Sequence, residues 1–133
     1  MDEIRISTKT RAEMVDITSD VADIVRKKGI NDGFCVIYSP HTTAGVTINE
    51  NADPSVRRAI EACLSRLAPR DAGWSHLEGN ADAHVKTSIV GSSVCVMVEG
   101  GRLALGTWQG IFFCEFDGPR SRRVWVKLVP SAA

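Results

Sequence analysis

Neither sign of charge is in excess in this chain of 133 residues. Sixteen lysines and arginines balance sixteen aspartates and glutamates, which gives a formal net charge of zero. A chain without net charge lacks the overall field that attracts a protein to nucleic acid or to an anionic membrane. We therefore expect no nucleic-acid partner and no membrane partner, and any bound anion must be held by a local group of residues.

Long apolar segments are also missing. No uninterrupted apolar run approaches the ~20 residues that span a bilayer, and residues 1–5 lack the apolar centre of a signal peptide. These absences predict a cytoplasmic protein. The length fits one domain over residues 1–133, which is large enough to bury a core without a disulfide or a structural metal.

The cysteines show no spacing typical of a metal site or a redox pair, since the sequence contains no C-x-x-C. Cys35, Cys95 and Cys114 lie in apolar, strand-like runs, and Cys63 lies on the apolar stripe of a predicted helix. We interpret all four as reduced, buried thiols. The alternative is a reactive thiol or soft-metal ligand, for which Cys114 is best placed because Glu115 follows it.

Strand and helix patterns interleave along the chain. Together they predict a single compact α+β domain with six to eight strands, in mixed or antiparallel sheets, and two or three helices. The apolar run at 34–38 is typical of a strand covered on both faces. Further strands are predicted at 3–8, 46–48, 94–99, 103–105, 107–116 and 124–129.

Helix start and stop signals occur three times. The first helix is predicted from residue 18 or 19 to Gly29, and the second begins at Asp53, as its N-cap, with Pro54 in the first turn. A short third helix runs to residue 91, with Asn80 or Asp82 as its cap. We expect Asp82 to pair weakly with residue 86 on the solvent side of this helix.

Histidine is scarce, and its three copies all have polar neighbours. His41 lies in SPHTT, His76 in SHLE and His84 in NADAH. Imidazole titrates near neutral pH and is the commonest metal ligand, so the three rings are candidates for one shared site, with Glu50, Glu78 and Glu115 as candidate carboxylates. The alternative for each histidine is an ordinary surface or structural position.

A phosphate site is the second reading of these polar segments. Hydroxyls, glycine amides and guanidinium groups suit phosphate oxygens, and they are supplied by Thr42, Thr43, Gly45, Gly91, Ser92, Ser93, Arg120 and Arg122. The alternatives are a plain helix-to-strand turn at 91–93 and a solvated hairpin arm at 120–123. Near Gly106 and Gly110, Gln109 offers an amide where two glycines indicate a bulge or a close backbone approach. Trp108, beside it, is expected to pack in a core.

The same segments carry a family resemblance. SPHTTAG at 39–45 with NEN at 49–51, GNADAH at 79–84, LGTWQ at 105–109 and EFDGPR at 115–120 occur together and in this order. In these motifs the chain resembles the YjbQ family, also called the UPF0047 or secondary thiamine-phosphate synthase family. The likeness covers nearly the whole chain.

The resemblance implies a compact α+β subunit that forms a homotrimer, with the motifs at a pocket near the subunit boundaries. It also implies a weak transferase activity that joins a pyrimidine diphosphate to a thiazole phosphate with loss of pyrophosphate. Carried over by motif, the catalytic candidates are His41, His76, His84, Glu50 and Glu115. The ligand-binding candidates are Thr42, Thr43, Asn51, Asn80, Gln109 and Arg120.

The cofactor and the reaction class have alternatives. A divalent metal, zinc or magnesium, is a candidate cofactor, and its candidate ligands are His41, His76 and His84. The expected partner is a small phosphorylated molecule. The alternatives to the transferase are a non-catalytic trimeric module that binds a metal or a phosphorylated ligand, and a zinc-dependent hydrolase.

Overall fold

The computed structural model describes residues 1–75 and 79–132, which fold into two antiparallel sheets and three helices. The elements in chain order are β1 Asp2–Ser7, β2 Glu13–Asp16, α1 Thr18–Lys28, β3 Gly33–Tyr38, β4 Ala44–Glu50, α2 Pro54–Leu67, α3 Ala81–Val90, β5 Ser93–Glu99, β6 Arg102–Leu103, β7 Gln109–Glu115 and β8 Ser121–Pro130. The α+β class is thereby confirmed, with eight strands within the described residues.

One sheet has five strands in the order β1-β8-β3-β5-β6, and the other has three in the order β2-β7-β4. The main core joins the inner face of the larger sheet to α1 and to one face of the smaller sheet, through residues such as Ile37, Val126 and Phe113. A second cluster packs Phe112 and Cys114 of the smaller sheet against α2 and α3. β7 is therefore buried on both faces, which fits its nearly continuous apolar sequence.

Local signals place the helix ends. The Asp53 carboxylate accepts a hydrogen bond from the Ser55 amide at 2.9 Å, with Pro54 in the first turn, so the predicted cap is confirmed. α1 ends at Gly29, whose φ of 65° is the left-handed conformation that glycine adopts without strain. None of the helices in the described residues combines the length and the apolar character needed to cross a bilayer.

Several expectations from the sequence were wrong. β3 is not covered on both faces: its residues alternate, and Phe34 and Tyr38 lie 41% and 42% exposed on the outer face of the larger sheet. Cys63 and Cys95 are exposed thiols, because the first lies on the solvent side of α2 and the second on the same outer face. Trp108 is 63% exposed, because residues 107–108 form a turn before β7 begins.

β2 was missed by the sequence patterns, because four residues with two apolar positions carry too little alternation to identify a strand. It matters for the site, because it pairs with β7 from Glu13 opposite Glu115 to Asp16 opposite Phe112. The loop before β2 is thereby held against the end of β7. The strand predicted at 103–105 is only Arg102–Leu103, and the one at 107–116 begins at Gln109.

Candidate functional site

A cavity of about 460 Å³ lies where the β3–β4 connection, the start of α3 and the β7–β8 turn meet. Six of the residues carried over from the family motifs line this cavity: His41, Thr42, Thr43, Asn80, His84 and Arg120. It is completed by Pro40, Asp117 and Arg122. We refer to it below as the histidine cavity. Two histidines that are 43 positions apart in the sequence thus face the same space.

His41 is fixed between the cavity and the strand behind it. Its Nε2 lies 3.1 Å from both the amide nitrogen and the carbonyl oxygen of Arg123, and its ring packs edge-on against Phe113. When Nε2 accepts the Arg123 N–H, the proton of the neutral ring resides on Nδ1. Burial and the nearby Arg122 guanidinium lower the pKa of His41. The ring is therefore held neutral near pH 7.

Glu115 and Arg122 form a buried ion pair beneath the cavity. The Arg122 Nε donates to Glu115 Oε1 at 2.7 Å, its Nη2 donates to Oε2, and Nη2 also donates to the Thr43 hydroxyl at 2.8 Å. Thr8 donates to Glu115 Oε1 at 2.8 Å, and the Asp117 amide donates to Oε2 at 3.0 Å. Burial acts to raise the pKa of Glu115, but these hydrogen bonds together outweigh it and keep the pKa below its usual value.

The sequence indicated Glu115 as a catalytic candidate in the site, but in the structure Glu115 lies beneath the cavity and does not line it. Its side chain is fully buried and holds Arg122, which in turn holds Thr43. The arm at 120–123 is consequently not a solvated hairpin throughout, since Arg122 is only 7% exposed. From the sequence, Arg122 was named only as a candidate for phosphate binding. Its buried ion pair was not expected, because the sequence does not show whether an arginine near a strand end faces the core or the solvent.

Asn80 and Asp117 form one wall of the cavity. Asn80 Nδ2 donates to Asp117 Oδ2 at 2.7 Å, and Arg120 donates from Nη2 to the same oxygen at 2.9 Å and from Nε to the Asp117 carbonyl at 2.7 Å. These contacts fix the plane of the Arg120 guanidinium. Asn80 is 7% exposed, and its Oδ1 is a buried acceptor without a protein partner. A buried acceptor in this state calls for a donor, such as an ordered water or a group of a ligand.

The start of α3 is held by a buried charged cluster. Asp82 is fully buried, accepts two hydrogen bonds from the Arg11 guanidinium at 3.1 Å each and forms an ion pair with Lys86 at 3.2 Å. The expectation of a weak, solvent-exposed pair was wrong, because the loop between β1 and β2 covers this face of α3 and brings Arg11 onto it. Arg11, Asp82 and Lys86 thereby fix the helix that presents Asn80 and His84 to the cavity.

Gly118 allows the β7–β8 turn to approach the β1–β2 loop. A Cβ atom added there would lie 2.3 Å from the Thr10 carbonyl oxygen and 2.9 Å from the Thr8 hydroxyl. No real side chain tolerates such distances, so the two loops would have to separate. The Gly118 amide donates to the Arg11 carbonyl at 2.8 Å across this contact. The glycine therefore connects the turn that carries Asp117 and Arg120 to the loop that carries Thr8 and Arg11.

Three predicted residues lie elsewhere. Glu50, Asn51 and Gln109 are at the other end of the β4–β7 pair, where Glu50 is opposite Gln109, whereas Ala44 is opposite Glu115 at the cavity end. Six residues of strand separate these ends by about 20 Å. Within one chain, these three side chains and the histidine cavity do not form one site.

The metal prediction has limited support from the described residues. Two imidazoles line the cavity, but across residues 1–75 and 79–132 no three His, Cys, Asp or Glu side chains are arranged to hold a metal ion. Asp117, the nearest carboxylate on the wall, is already bound by Asn80 and Arg120. His76 and Glu78 lie outside the described residues. The donor set in the described part does not fit a metal ion, and we derive no step through one.

Asp117, Arg11 and Thr8 were missed by reasoning from the sequence. Asp117 stands within the EFDGPR motif, so its motif position was a signal, but a DG pair before proline also indicates an ordinary turn. Arg11 and Thr8 had no signal, because their roles depend on contacts with residues 71 and 107 positions away.

Residues 2–131 match the family described as UPF0047 protein YjbQ-like. A UPF0047 protein of Methanocaldococcus jannaschii is 53% identical over 94% of this chain and 91% of its own length. The UPF0047 protein YugU of Bacillus subtilis is 50% identical over 95% of this chain and 96% of its own.

Solved structures agree with the sequence relatives. A YjbQ/UPF0047 family protein of Clostridium acetobutylicum has a TM-score of 0.95 and 48% identity, covering 97% of this chain and 100% of its own. A protein of Sulfolobus solfataricus, described as YjbQ-like and of unknown function, has a TM-score of 0.94 and 35% identity, covering 98% of this chain and 96% of its own. The chain belongs to the YjbQ-like UPF0047 family.

Proposed function

We propose that this chain is a cytoplasmic transferase of the thiamine-phosphate synthase type, acting on small phosphorylated molecules in the histidine cavity. The observation that carries the proposal is the meeting of His41 and His84 with Arg120 and Arg122 around one cavity. Groups able to transfer a proton and groups able to bind phosphate oxygens are thereby placed together. The resemblance to the family supplies the reaction.

The reaction forms one bond and breaks one. The thiazole nitrogen attacks the methylene carbon of the pyrimidine, the C–O bond to the diphosphate breaks, and its electron pair leaves with pyrophosphate. Negative charge therefore grows on the departing group while positive charge grows on the carbon. A site for this step needs fixed cations near the leaving oxygens and a fixed geometry for the two rings.

Arg120 is suited to binding a phosphate group of a substrate. Asp117 orients two of its donors, so the guanidinium is held in place before a ligand arrives, and little entropy is lost when phosphate binds. Its side chain is 52% exposed, at the mouth of the cavity. The hydroxyl of Thr42, which lines the same cavity, is a second group of the kind that binds phosphate oxygens.

The histidines and Asn80 suit the pyrimidine side. Because the pKa of His41 is lowered, its ring is in the neutral form near pH 7, which is the form able to accept a proton. His84 faces the same space from the first turns of α3. The buried Asn80 Oδ1 accepts an N–H of the ligand, such as the exocyclic amine of an aminopyrimidine.

We also propose a homotrimer, as the family resemblance implies. Its support here is the apolar outer face of the five-stranded sheet, where Phe34, Tyr38 and Met97 are 41%, 42% and 65% exposed and Tyr38 stacks on Trp125 at 5.9 Å between ring centroids. Contiguous apolar surface of this kind marks association sites. Sedimentation analysis tests the proposal: Met97→Glu should release monomers, and a wild-type monomer would contradict it.

Incubation of the purified protein with both substrates tests the reaction. We expect thiamine phosphate and pyrophosphate in equal amounts, with loss of product in His84→Ala and a strong reduction in Arg120→Gln. Ser88→Ala, on the same helix but exposed, is the matched control and should keep full activity. Wild-type product that does not exceed the His84→Ala level would remove the synthase proposal.

The same preparation addresses the non-catalytic alternative and the metal. Stabilisation by the thiazole phosphate or the pyrimidine diphosphate without product would identify a binding module, since ligands that bind only the native state raise its melting temperature. Activity that disappears with a chelator and returns with zinc or magnesium would show a metal requirement. Metal content should then depend on His41, His84 and His76 together.

A further inference from the structure

A second, smaller cavity lies on the other side of His41. It has a volume of about 280 Å³ and is lined by Glu3, Arg5, His41, Ser121, Arg122 and Arg123. It is formed where β1 pairs with β8, next to the β3–β4 connection. His41 and Arg122 line both cavities, so a wall of two side chains separates this space from the histidine cavity.

Two arginines of this cavity face each other across the sheet. Arg5 of β1 is directly opposite Arg123 of β8 in the antiparallel register. Side chains at directly opposite positions project on the same face, and like charges placed there are destabilising. Both side chains are largely exposed, at 89% and 58%. A sheet would gain stability from almost any uncharged residue at one of these positions.

The protein offsets this repulsion only in part. Glu3 is the carboxylate beside the pair, with one oxygen 3.5 Å from Arg5 Nε and the other 3.8 Å from Arg123 Nη1. The oxygen nearer Arg123 also accepts a hydrogen bond from Trp125 Nε1 at 3.2 Å. One carboxylate at such distances does not neutralise two guanidinium groups, and solvent screens what it contributes.

The charge that remains is positive. Three arginines and one glutamate line the cavity, which gives three minus one, or +2, and the buried Glu115 offsets Arg122 to leave about +1 at the rim. Guanidinium groups fixed on opposite strands match a ligand with several anionic oxygens, because each can bind two of them. A diphosphate has that shape, and its charge would replace repulsion between the arginines with attraction to both.

We propose that Arg5 and Arg123 form a second anion subsite, which takes the diphosphate group of a substrate on the far side of His41 from Arg120. The inference rests on the proposed function, because that reaction requires two phosphorylated substrates and therefore two anion sites. His41, on the shared wall, would then contact both ligands. It becomes a candidate for the residue that orients one substrate relative to the other.

The experiment uses inorganic pyrophosphate as the probe, at low ionic strength, with potassium chloride at matched ionic strength as the salt control. Thermal unfolding is followed for the wild type, Arg5→Gln, Arg123→Gln and Arg120→Gln. Arg102→Gln is the matched control, because Arg102 is an exposed arginine of the same sheet on β6, at the opposite edge from β1.

We expect pyrophosphate to stabilise the wild type and Arg102→Gln equally. Arg5→Gln and Arg123→Gln should each bind it about tenfold more weakly, the effect of losing one charge-assisted contact. Without pyrophosphate both variants should melt at or above the wild-type temperature, since the facing charges are gone. A lost response therefore cannot be attributed to unfolding. The His41 ring resonances should move with pyrophosphate in the wild type and much less in these two variants.

The outcomes separate this subsite from the proposed function. If pyrophosphate stabilises Arg5→Gln and Arg123→Gln as well as the wild type and only Arg120→Gln loses the response, the second subsite is wrong while the histidine cavity remains an anion site. If no variant alters the response, both assignments are wrong. If the two variants lose it and the wild type makes no thiamine phosphate, the subsite stands and the synthase proposal is wrong.

Discussion

The two ends of the β4–β7 strand pair carry family motifs of different physical character. At the cavity end, Glu115 is fully buried and accepts hydrogen bonds from Thr8, which follows β1, from Arg122 of β8 and from the Asp117 amide. At the far end, Gln109 is exposed and accepts a hydrogen bond from the Gly106 amide, three residues away in the same turn. The cavity end depends on contacts between distant segments, whereas Gln109 at the far end contacts a residue of its own turn.

At the far end, the motif side chains hold the turns and loops that connect the strands and helices. Glu50 accepts from the Asp53 amide at 3.2 Å, which helps the chain enter α2, and Asn51 donates to Asp16 at 3.2 Å. A Cβ atom added at Gly110 would lie 2.6 Å from the side-chain nitrogen Nδ2 of Asn51, so this glycine makes room for the Asn51 side chain. The comparison teaches that motif residues of similar polarity divide into a ligand-facing group and a group that shapes loops.

Removal of one carboxylate from each end gives the largest expected difference. Glu115→Ala leaves Arg122 buried without its partner, which should reduce the free energy of unfolding by about 3–5 kcal/mol. Glu50→Ala removes one exposed hydrogen bond and should cost less than about 1 kcal/mol. Urea unfolding followed by tryptophan fluorescence measures both. Equal losses in the two variants would contradict the distinction between the ends.

A second test concerns the charged cluster that fixes α3 at the cavity end. Asp82→Asn leaves Arg11 and Lys86 with no anion between them and should cost roughly 2–4 kcal/mol. The double variant Asp82→Asn with Lys86→Met removes one of the two cations and should recover part of that loss. A double variant whose loss equals the sum of the two single losses would mean that Lys86 and Asp82 are not coupled.

The two ends also differ in the space around a glycine. Gly118→Ala would force its Cβ against the Thr10 carbonyl, a backbone atom that cannot move alone, and should cost about 1–3 kcal/mol. Gly106→Ala meets only the end of the Gln109 side chain at 3.3 Å, which can turn away, so we expect a change within about 0.5 kcal/mol. Thermal unfolding of the two variants side by side is the measurement, and a costlier Gly106→Ala would contradict it.

The sequence predicted those parts of the fold that local chemistry decides. Asp53 and Pro54 fix the start of α2 by themselves, and Gly29 fixes the end of α1, so both were predicted correctly. β2 escaped because four residues carry little pattern. Trp108 was wrongly expected in a core, because the apolar pattern at 107–116 does not distinguish a strand residue from a turn residue that lies just before the strand.

The site was predictable where motifs carried it and unpredictable where burial decided it. The family motifs indicated His41, His84 and Arg120, which the structure brings to one cavity. Asp82 and Lys86 were recognised as a pair but assigned to solvent, because an i,i+4 spacing has the same appearance on either face of a helix. Their burial depends on the loop that carries Arg11, which leads directly into β2 and is held in place by the pairing of β2 with β7.

The smallest expected effect is on the pH dependence of the free energy of unfolding, and it concerns His41 at the cavity end. His41 has a lowered pKa in the folded chain, owing to burial and to Arg122, so the unfolded chain binds more protons as the pH falls below the usual value of 6.5. Its contribution to stability is therefore complete above that pH and is lost as the pH decreases toward the lowered pKa. His41→Gln should flatten this part of the stability curve, and His84→Gln, at the other histidine that lines the cavity, serves as the comparison variant. Chemical unfolding between pH 5 and 8 checks the difference, and a His41→Gln curve parallel to the wild type would show that Arg122 does not act on this ring. Pyrophosphate in the second cavity should oppose the decrease, because an anion beside His41 favours the protonated ring.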